Sequence, residues 1–229
     1  ENLAFGYTSR PNPNLRPETR RSVEGGARFG DRGIEASVVA FRGVYNGFIS
    51  QEVVSGGFTP ADPAIYQFIN LNRVVVKGGE ARVEGRAAIG FTGSLAISFA
   101  DGEVTSPTGV RSPLSTVDPL RLVAGVGYRE REGRFGGQLN ATYSDRKELG
   151  QTLGVCTGTC FRPGASTIFD ATAFVRIGQV LTLRGGIFNI TDKKYSWWND
   201  VRGLAATSTV TDAYTQPGRN GSVSLSFSF

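Results

Sequence analysis

Asn220-Gly221-Ser222-Val223-Ser224-Leu225-Ser226-Phe227-Ser228-Phe229 is the last segment of the chain. Val223, Leu225, Phe227 and Phe229 alternate with four serines, so an extended backbone here carries one apolar face and one hydroxyl face. The same period of two recurs at Phe135, Gly137, Leu139, Ala141 and Tyr143 against Gln138, Asn140, Thr142 and Ser144. It appears again at Leu120, Leu122, Ala124, Val126 and Tyr128 against Arg121, Gly125 and Gly127. Further extended segments are read at residues 23–29, 34–49, 73–86, 95–101, 167–175 and 181–189, giving nine strands and no convincing helix.

A soluble β-sandwich also alternates, so the connections have to separate the two architectures. They run short and long in strict turn: 30–33, then 50–72; 87–94, then 102–118; 129–134, then 146–166; 176–180, then 190–219. Every long connection therefore leaves the sheet on the same side, the asymmetry of an outer-membrane β-barrel with tight periplasmic turns and long extracellular loops. Glu24, Arg28, Glu80, Arg82, Glu84, Arg86, Arg121, Asp170, Arg176 and Arg184 fall on the register opposite the apolar residues, which suits a hydrated lumen. In a sandwich the same face would meet bulk water.

Bulk properties bound the rest. The 229 residues are 39% hydrophobic, and no stretch approaches the roughly 18 to 20 apolar residues of a membrane helix. A membrane barrel needs none, because only alternate strand residues meet lipid. With no methionine and no secretory leader at its start, the chain is expected to be a mature piece or a fragment. Histidine is absent, so within these residues imidazole serves neither as general base nor as metal or haem ligand, and no Ser–His hydrolase arrangement can form. Neither a catalytic residue nor a resident metal or cofactor is expected. The net charge of +5 is spread in alternating sign, as in Arg129-Glu130-Arg131-Glu132, so nucleic acid is not an expected partner. Cys156 and Cys160, the only cysteines, read as a local loop disulfide, with a metal site the weaker alternative.

The motifs bring a family into view. Residues 221–229 resemble the C-terminal signal strand recognised by the barrel assembly machinery. Phe188-Asn189-Ile190-Thr191-Asp192-Lys193-Lys194-Tyr195 resembles the "NLFDKKY" segment of TonB-dependent receptors, and Pro217-Gly218-Arg219 resembles the "PGR" that leads into their final strand. Near the start, Pro11-Asn12-Pro13-Asn14-Leu15-Arg16-Pro17-Glu18 resembles their "NPNL-KPE" box, whose fuller form belongs to haem and haemoglobin receptors. A "FRAP" element and a haem-ligating histidine, which would complete the haem pattern, are not among these residues.

The resemblance implies an all-β, antiparallel transmembrane barrel in the bacterial outer membrane. Residues 1–229 would be its C-terminal portion, about nine strands of a 22-stranded wall, with the plug and TonB box elsewhere. It further implies uptake of haem or a haem protein, favoured over a ferric siderophore, as cargo rather than cofactor. A passive porin or structural barrel is the alternative of another class. Implied partners are the TonB energy-coupling protein through the plug, outer-membrane lipid, and the assembly machinery through the last strand.

Ligand contacts are expected at Asn12, Pro13, Asn14 and Leu15 in an extracellular loop and at Trp197 and Trp198 in the last one. The competing reading of the proline-rich box is a rigid turn. Tyr195 reads as part of the aromatic girdle at the membrane interface. Arg121, Arg176 and Arg184 read as lumen-facing, able to meet a carboxylate in bidentate fashion or to hydrate the lumen and touch the plug.

Overall fold

The computed structural model describes residues 7–56, 61–71, 73–106, 108–152, 155–156 and 158–228. Phe229, the expected last aromatic of the signal strand, lies outside these residues.

The strands are β1 (Tyr7–Arg10), β2 (Thr19–Asp31), β3 (Ile34–Asn46), β4 (Ile49–Ser55), β5 (Ala64–Asn70), β6 (Arg73–Arg86), β7 (Phe91–Thr105), β8 (Arg111–Pro113), β9 (Arg121–Arg129), β10 (Phe135–Ser144), β11 (Ser166–Ile177), β12 (Leu181–Phe188) and β13 (Asn220–Phe227). Among the described residues, helix is confined to α1 (Trp198–Val201) and two single 3₁₀ turns. The larger sheet runs β13-β12-β11-β10-β9-β7-β6-β3-β2, with β8 added to β7. Its nine-strand path corresponds one for one to the nine segments expected from the alternation, and each strand neighbours the next of the nine in sequence. β2 and β13 end the path, each with a single neighbour among the described residues.

The loop expected at 50–72 is the chief departure. It contains β4 and β5, which pair antiparallel, and β1 joins β5 in parallel to make a separate three-stranded sheet. These short strands carry no sustained apolar alternation, so the pattern that found the others had nothing to find.

Chain contacts divide the molecule into two compact units. Residues 1–23, 42–77 and 102–114 form one unit, with the three-stranded sheet, and residues 24–41, 78–101 and 115–229 form the other, with β9 to β13.

In the second unit the registers fix which side chains share a face. Leu139 lies opposite Val126 and Ala171, Ala171 opposite Ile187, Val175 opposite Leu183, and Leu183 opposite Leu225. One face is therefore apolar, aliphatic with aromatic residues interspersed, yet it is exposed, up to 79% at Val223 and 58% at Phe227. An apolar surface this extensive is matched to lipid or a partner, not to water. At its short-connection end the rings of Phe91, Tyr128 and Phe135 lie in series, 4.9 and 6.1 Å between centroids. That is where an aromatic girdle sits.

The opposite face carries Arg121, Gln138, Asn140, Asp170, Arg176, Arg184 and the serines of β13. Two phenylalanines lie flat on it over glycines: a Cβ on Gly136 would stand 2.7 Å from the Phe174 ring, and one on Gly186 would stand 2.8 Å from the Phe188 ring. Arg28 and Glu35 pair at 3.5 Å, and Arg82 and Arg86 hold Glu84 at 3.0 and 2.9 Å. These pairs are solvent-exposed and serve hydration more than stability.

Candidate functional site at the long-connection end

Within the second unit, three long connections are knitted into one platform. Residues 145–165 and 189–219 meet in a short antiparallel contact, with Cys160 opposite Ala205. The Phe161 amide donates to the Leu204 carbonyl and the Ala206 amide to the Thr159 carbonyl, each at 2.8 Å. Cys156 and Cys160 form a disulfide, the expected pairing, which fixes the turn leading into this contact.

Trp198 is 3% exposed, and its indole Nε1 donates to the Ser115 carbonyl at 2.6 Å, tying residues 115–120 to the same platform. Asn199 donates to Asp118 at 2.8 Å. Lys147, only 2% exposed, donates to the Val117 carbonyl, while Arg162 donates to the Lys147 carbonyl at 3.1 Å. Burial pushes the Lys147 ammonium below its ordinary pKa, and the carboxylates of Asp118 and Asp101 oppose that shift.

The two adjacent tryptophans part company because α1 begins between them. Trp197 is extended (φ −77°, ψ 148°) and Trp198 is the first helical residue, so their side chains diverge. Trp198 enters the platform core and offers no ring face to a ligand. Trp197 stays half-buried, with the Arg121 guanidinium 4.5 Å over its ring and the Tyr195 ring edge-on at 5.0 Å. Tyr195 thus belongs to this cluster, not to an outward girdle as its position near a strand end suggested. Burial raises its phenol above the ordinary pKa, the Asp170 carboxylate adds to the rise, and Arg121 counteracts it.

Arg121, Trp197 and Tyr195 therefore present one cation, two aromatic rings and a phenol on the polar side of the long-connection end. Such a group can stack on a flat apolar body and pair with a carboxylate at its edge. The three arginines expected to face a lumen are not brought together. Arg121 starts β9 at this end, whereas Arg176, opposite Thr182, and Arg184, opposite Ser224, lie in the short-connection half. There Arg184 donates to the Ser226 hydroxyl at 3.1 Å.

In the first unit, the proline-rich box is fastened to the three-stranded sheet. The Asn12 side-chain Nδ2 donates to the Phe68 carbonyl at 2.8 Å, and its Oδ1 accepts from the Asn14 backbone amide at 3.0 Å. Asn70 holds the Arg16 amide and carbonyl, each at 2.8 Å, and the Gly47 carbonyl at 2.7 Å. Gln67 donates to the Pro11 carbonyl at 2.9 Å, and Glu18 accepts the Ile49 amide at 3.1 Å. Pro13 and Asn14 are exposed, while Leu15 is half-buried. The box thus has a structural task in its own unit, one that needed the unseen partners Gln67 and Asn70 to become visible. Asn70→Ala removes three hydrogen bonds and is expected to raise amide exchange at residues 11–18 at least tenfold, with exchange in β9 to β12 unchanged.

The motif segment at the end of β12 has an equally concrete role. Asn189 is 2% exposed and sits at φ 49°, with its side chain bonded to the Lys193 amide and carbonyl at 2.8 and 2.9 Å and to the Pro217 carbonyl at 3.1 Å. Asp192 accepts the Arg219 amide at 2.7 Å. The two motifs, joined by hydrogen bonds between residues 27 and 28 positions apart, thereby lock the end of β12 to the start of β13.

The family model described as TonB dependent receptor-like, beta-barrel, matches residues 1–190. A probable hemoglobin and hemoglobin-haptoglobin-binding protein of Haemophilus influenzae is 25% identical over 97% of this chain, which spans 25% of that relative's length. Among solved structures, the copper transporter OprC superposes with a TM-score of 0.76 at 19% identity, covering 95% of this chain and 32% of OprC. The ferric enterobactin receptor of Pseudomonas aeruginosa (PfeA, G324V mutant) gives a TM-score of 0.68 at 23% identity, covering 95% of this chain and 32% of the receptor.

Proposed function

Because the chain belongs to the TonB-dependent receptor β-barrel family and hence to the bacterial outer membrane, we propose that it forms the C-terminal portion of a receptor importing an iron-containing ligand. Haem or a haem protein is favoured over a ferric siderophore. The cluster of Arg121, Trp197 and Tyr195 carries this reading: a guanidinium beside stacked rings suits a planar, carboxylate-edged ligand. The haemoglobin-binding relative supports the same choice, and the PfeA likeness, at 23% identity, speaks to fold alone.

In this reading the long connections face the cell exterior and the short ones the periplasm. Cargo is gripped by contact alone, with no bond made or broken, and the chain is not an enzyme. Arg176 and Arg184 line the path inward and meet the plug, through which TonB supplies energy. β13 is the strand that the assembly machinery recognises, and the exposed aliphatic face meets lipid.

In the full receptor, Trp197→Ala and Arg121→Gln are each expected to weaken haem or haemoglobin binding about tenfold in surface titrations while leaving receptor abundance unchanged. Growth of a strain relying on this receptor, with haem, haemoglobin or a ferric siderophore as sole iron source, decides the cargo. Growth on a ferric siderophore and not on haem or haemoglobin overturns the preference.

A further inference from the structure

Adjacent arginines on β2 point to opposite sides of the sheet. Arg20 lies on the polar side, its guanidinium 5.4 Å over the Tyr45 ring. Arg21 is on the other side, in register along the strand with Val23 and Phe29, which are 77% and 61% exposed. Arg42 of β3 shares the parity of Ile34 and Val38, and Arg73 of β6 shares that of Val83, all exposed apolar residues. The three arginines line one shallow groove with Ser22, Val23 and Asn46. All are exposed, and none has an ion-pair or hydrogen-bond partner for its guanidinium among the described residues. Glu103 of β7, an acid of the same unit, is paired with Arg111 at 3.6 Å.

Their height on the strands matters as much as their face. Arg21 is the third residue of β2, Arg73 the first of β6, and Arg42 four residues from the last of β3, so all three stand toward the long-connection ends. From Arg21 to Phe29 is eight residues, about 26 Å of extended strand, close to the height of a barrel's apolar band. Three exposed cations thus stand at the long-connection ends of β2, β3 and β6, with Val23 exposed beside them on the same face.

We propose that Arg21, Arg42 and Arg73 form an outward-facing site for the phosphate groups of the phosphorylated glycolipid that makes up the outer leaflet of the outer membrane. Three unpaired guanidiniums converging at headgroup height suit a multiply charged phosphate ester, which accepts several N–H bonds at once. The apolar stripe beneath them accommodates the acyl chains of the same molecule. The site rests on the orientation proposed above, long connections outward, and is independent of the cargo.

The test uses the full receptor in phosphatidylethanolamine nanodiscs with labelled bis-phosphorylated lipid A, dephosphorylated lipid A or phosphatidylglycerol, and bound lipid is counted by native mass spectrometry. The wild type is expected to retain the bis-phosphorylated form and to lose it neither to the dephosphorylated lipid nor to millimolar inorganic phosphate. Each single Arg→Gln change is expected to weaken retention about fivefold and R21Q/R42Q/R73Q roughly a hundredfold. Arg→Lys at the same positions restores most of it, and R28Q/R82Q/R86Q, an equal loss of charge on the polar face, changes nothing. Equal retention of dephosphorylated lipid A, or full retention by the triple Gln receptor, overturns the site. Displacement by inorganic phosphate overturns the lipid in favour of a free anion, and preference for phosphatidylglycerol overturns the outward orientation. If the triple Gln receptor does not assemble, the wild-type comparison of the three lipids still decides. Haem-dependent growth is unaffected throughout, which separates failure here from failure of the cargo assignment.

Discussion

An Asn189→Val receptor is expected to lose about 4–6 kcal/mol of stability, the largest effect of any single substitution considered for this chain. Three part-buried hydrogen bonds from the Asn189 side chain to the backbone of Lys193 and Pro217 disappear, at about 1 kcal/mol each. A β-branched residue is also forced into the left-handed region at φ 49°, which costs about 1–3 kcal/mol more. The measurement is the guanidinium unfolding midpoint of the full receptor refolded into vesicles. Asn189→Gly keeps the backbone conformation and loses only the hydrogen bonds, so it should lose about 3 kcal/mol. Equal losses for the two variants would show that the backbone angle contributes nothing.

Trp198→Ala should lower local stability by about 3–5 kcal/mol without moving the global unfolding midpoint. Its ring is the main apolar body in the platform of long connections, and its indole holds residue 115. Removing it should raise amide exchange at residues 115–120, 155–162 and 197–206 together, because these segments share that core. Cargo affinity should fall with it through Trp197, whose position depends on α1. Exchange confined to residues 197–206 would show that the three connections are not one cooperative unit.

The sequence carried the wall of the fold because lipid on one side and water on the other impose a period of two, which all nine long strands obey. β4 and β5 were invisible for the converse reason: their residues, Ile49–Ser55 and Ala64–Asn70, answer to neighbouring loop backbone, and that imposes no period. Of the site, Arg121 was legible as a polar-face residue from its register alone. Its contact with Trp197, 76 positions away, was not, since only loop packing brings them together. The division of labour between Trp197 and Trp198 depends on where a four-residue helix starts, below the resolution of any periodicity. The motifs at 188–195 and 217–219 announced a family, while the hydrogen bonds that explain them span both.

The rings of Phe174 and Phe188 lie against bare backbone at Gly136 and Gly186, where a methyl group would have to occupy the space the rings now fill. In the proposed receptor these glycines keep aromatic bulk flat against the polar face and out of the passage, so its clearance is set by residues that touch nothing moving. In the proposed receptor, alanine at Gly186 is expected to tip the Phe188 ring off the polar face, while at Gly136 the Tyr128 carbonyl, 2.7 Å from the added carbon, must give as well as the Phe174 ring, so a slower transport rate at unchanged cargo affinity is the expected outcome.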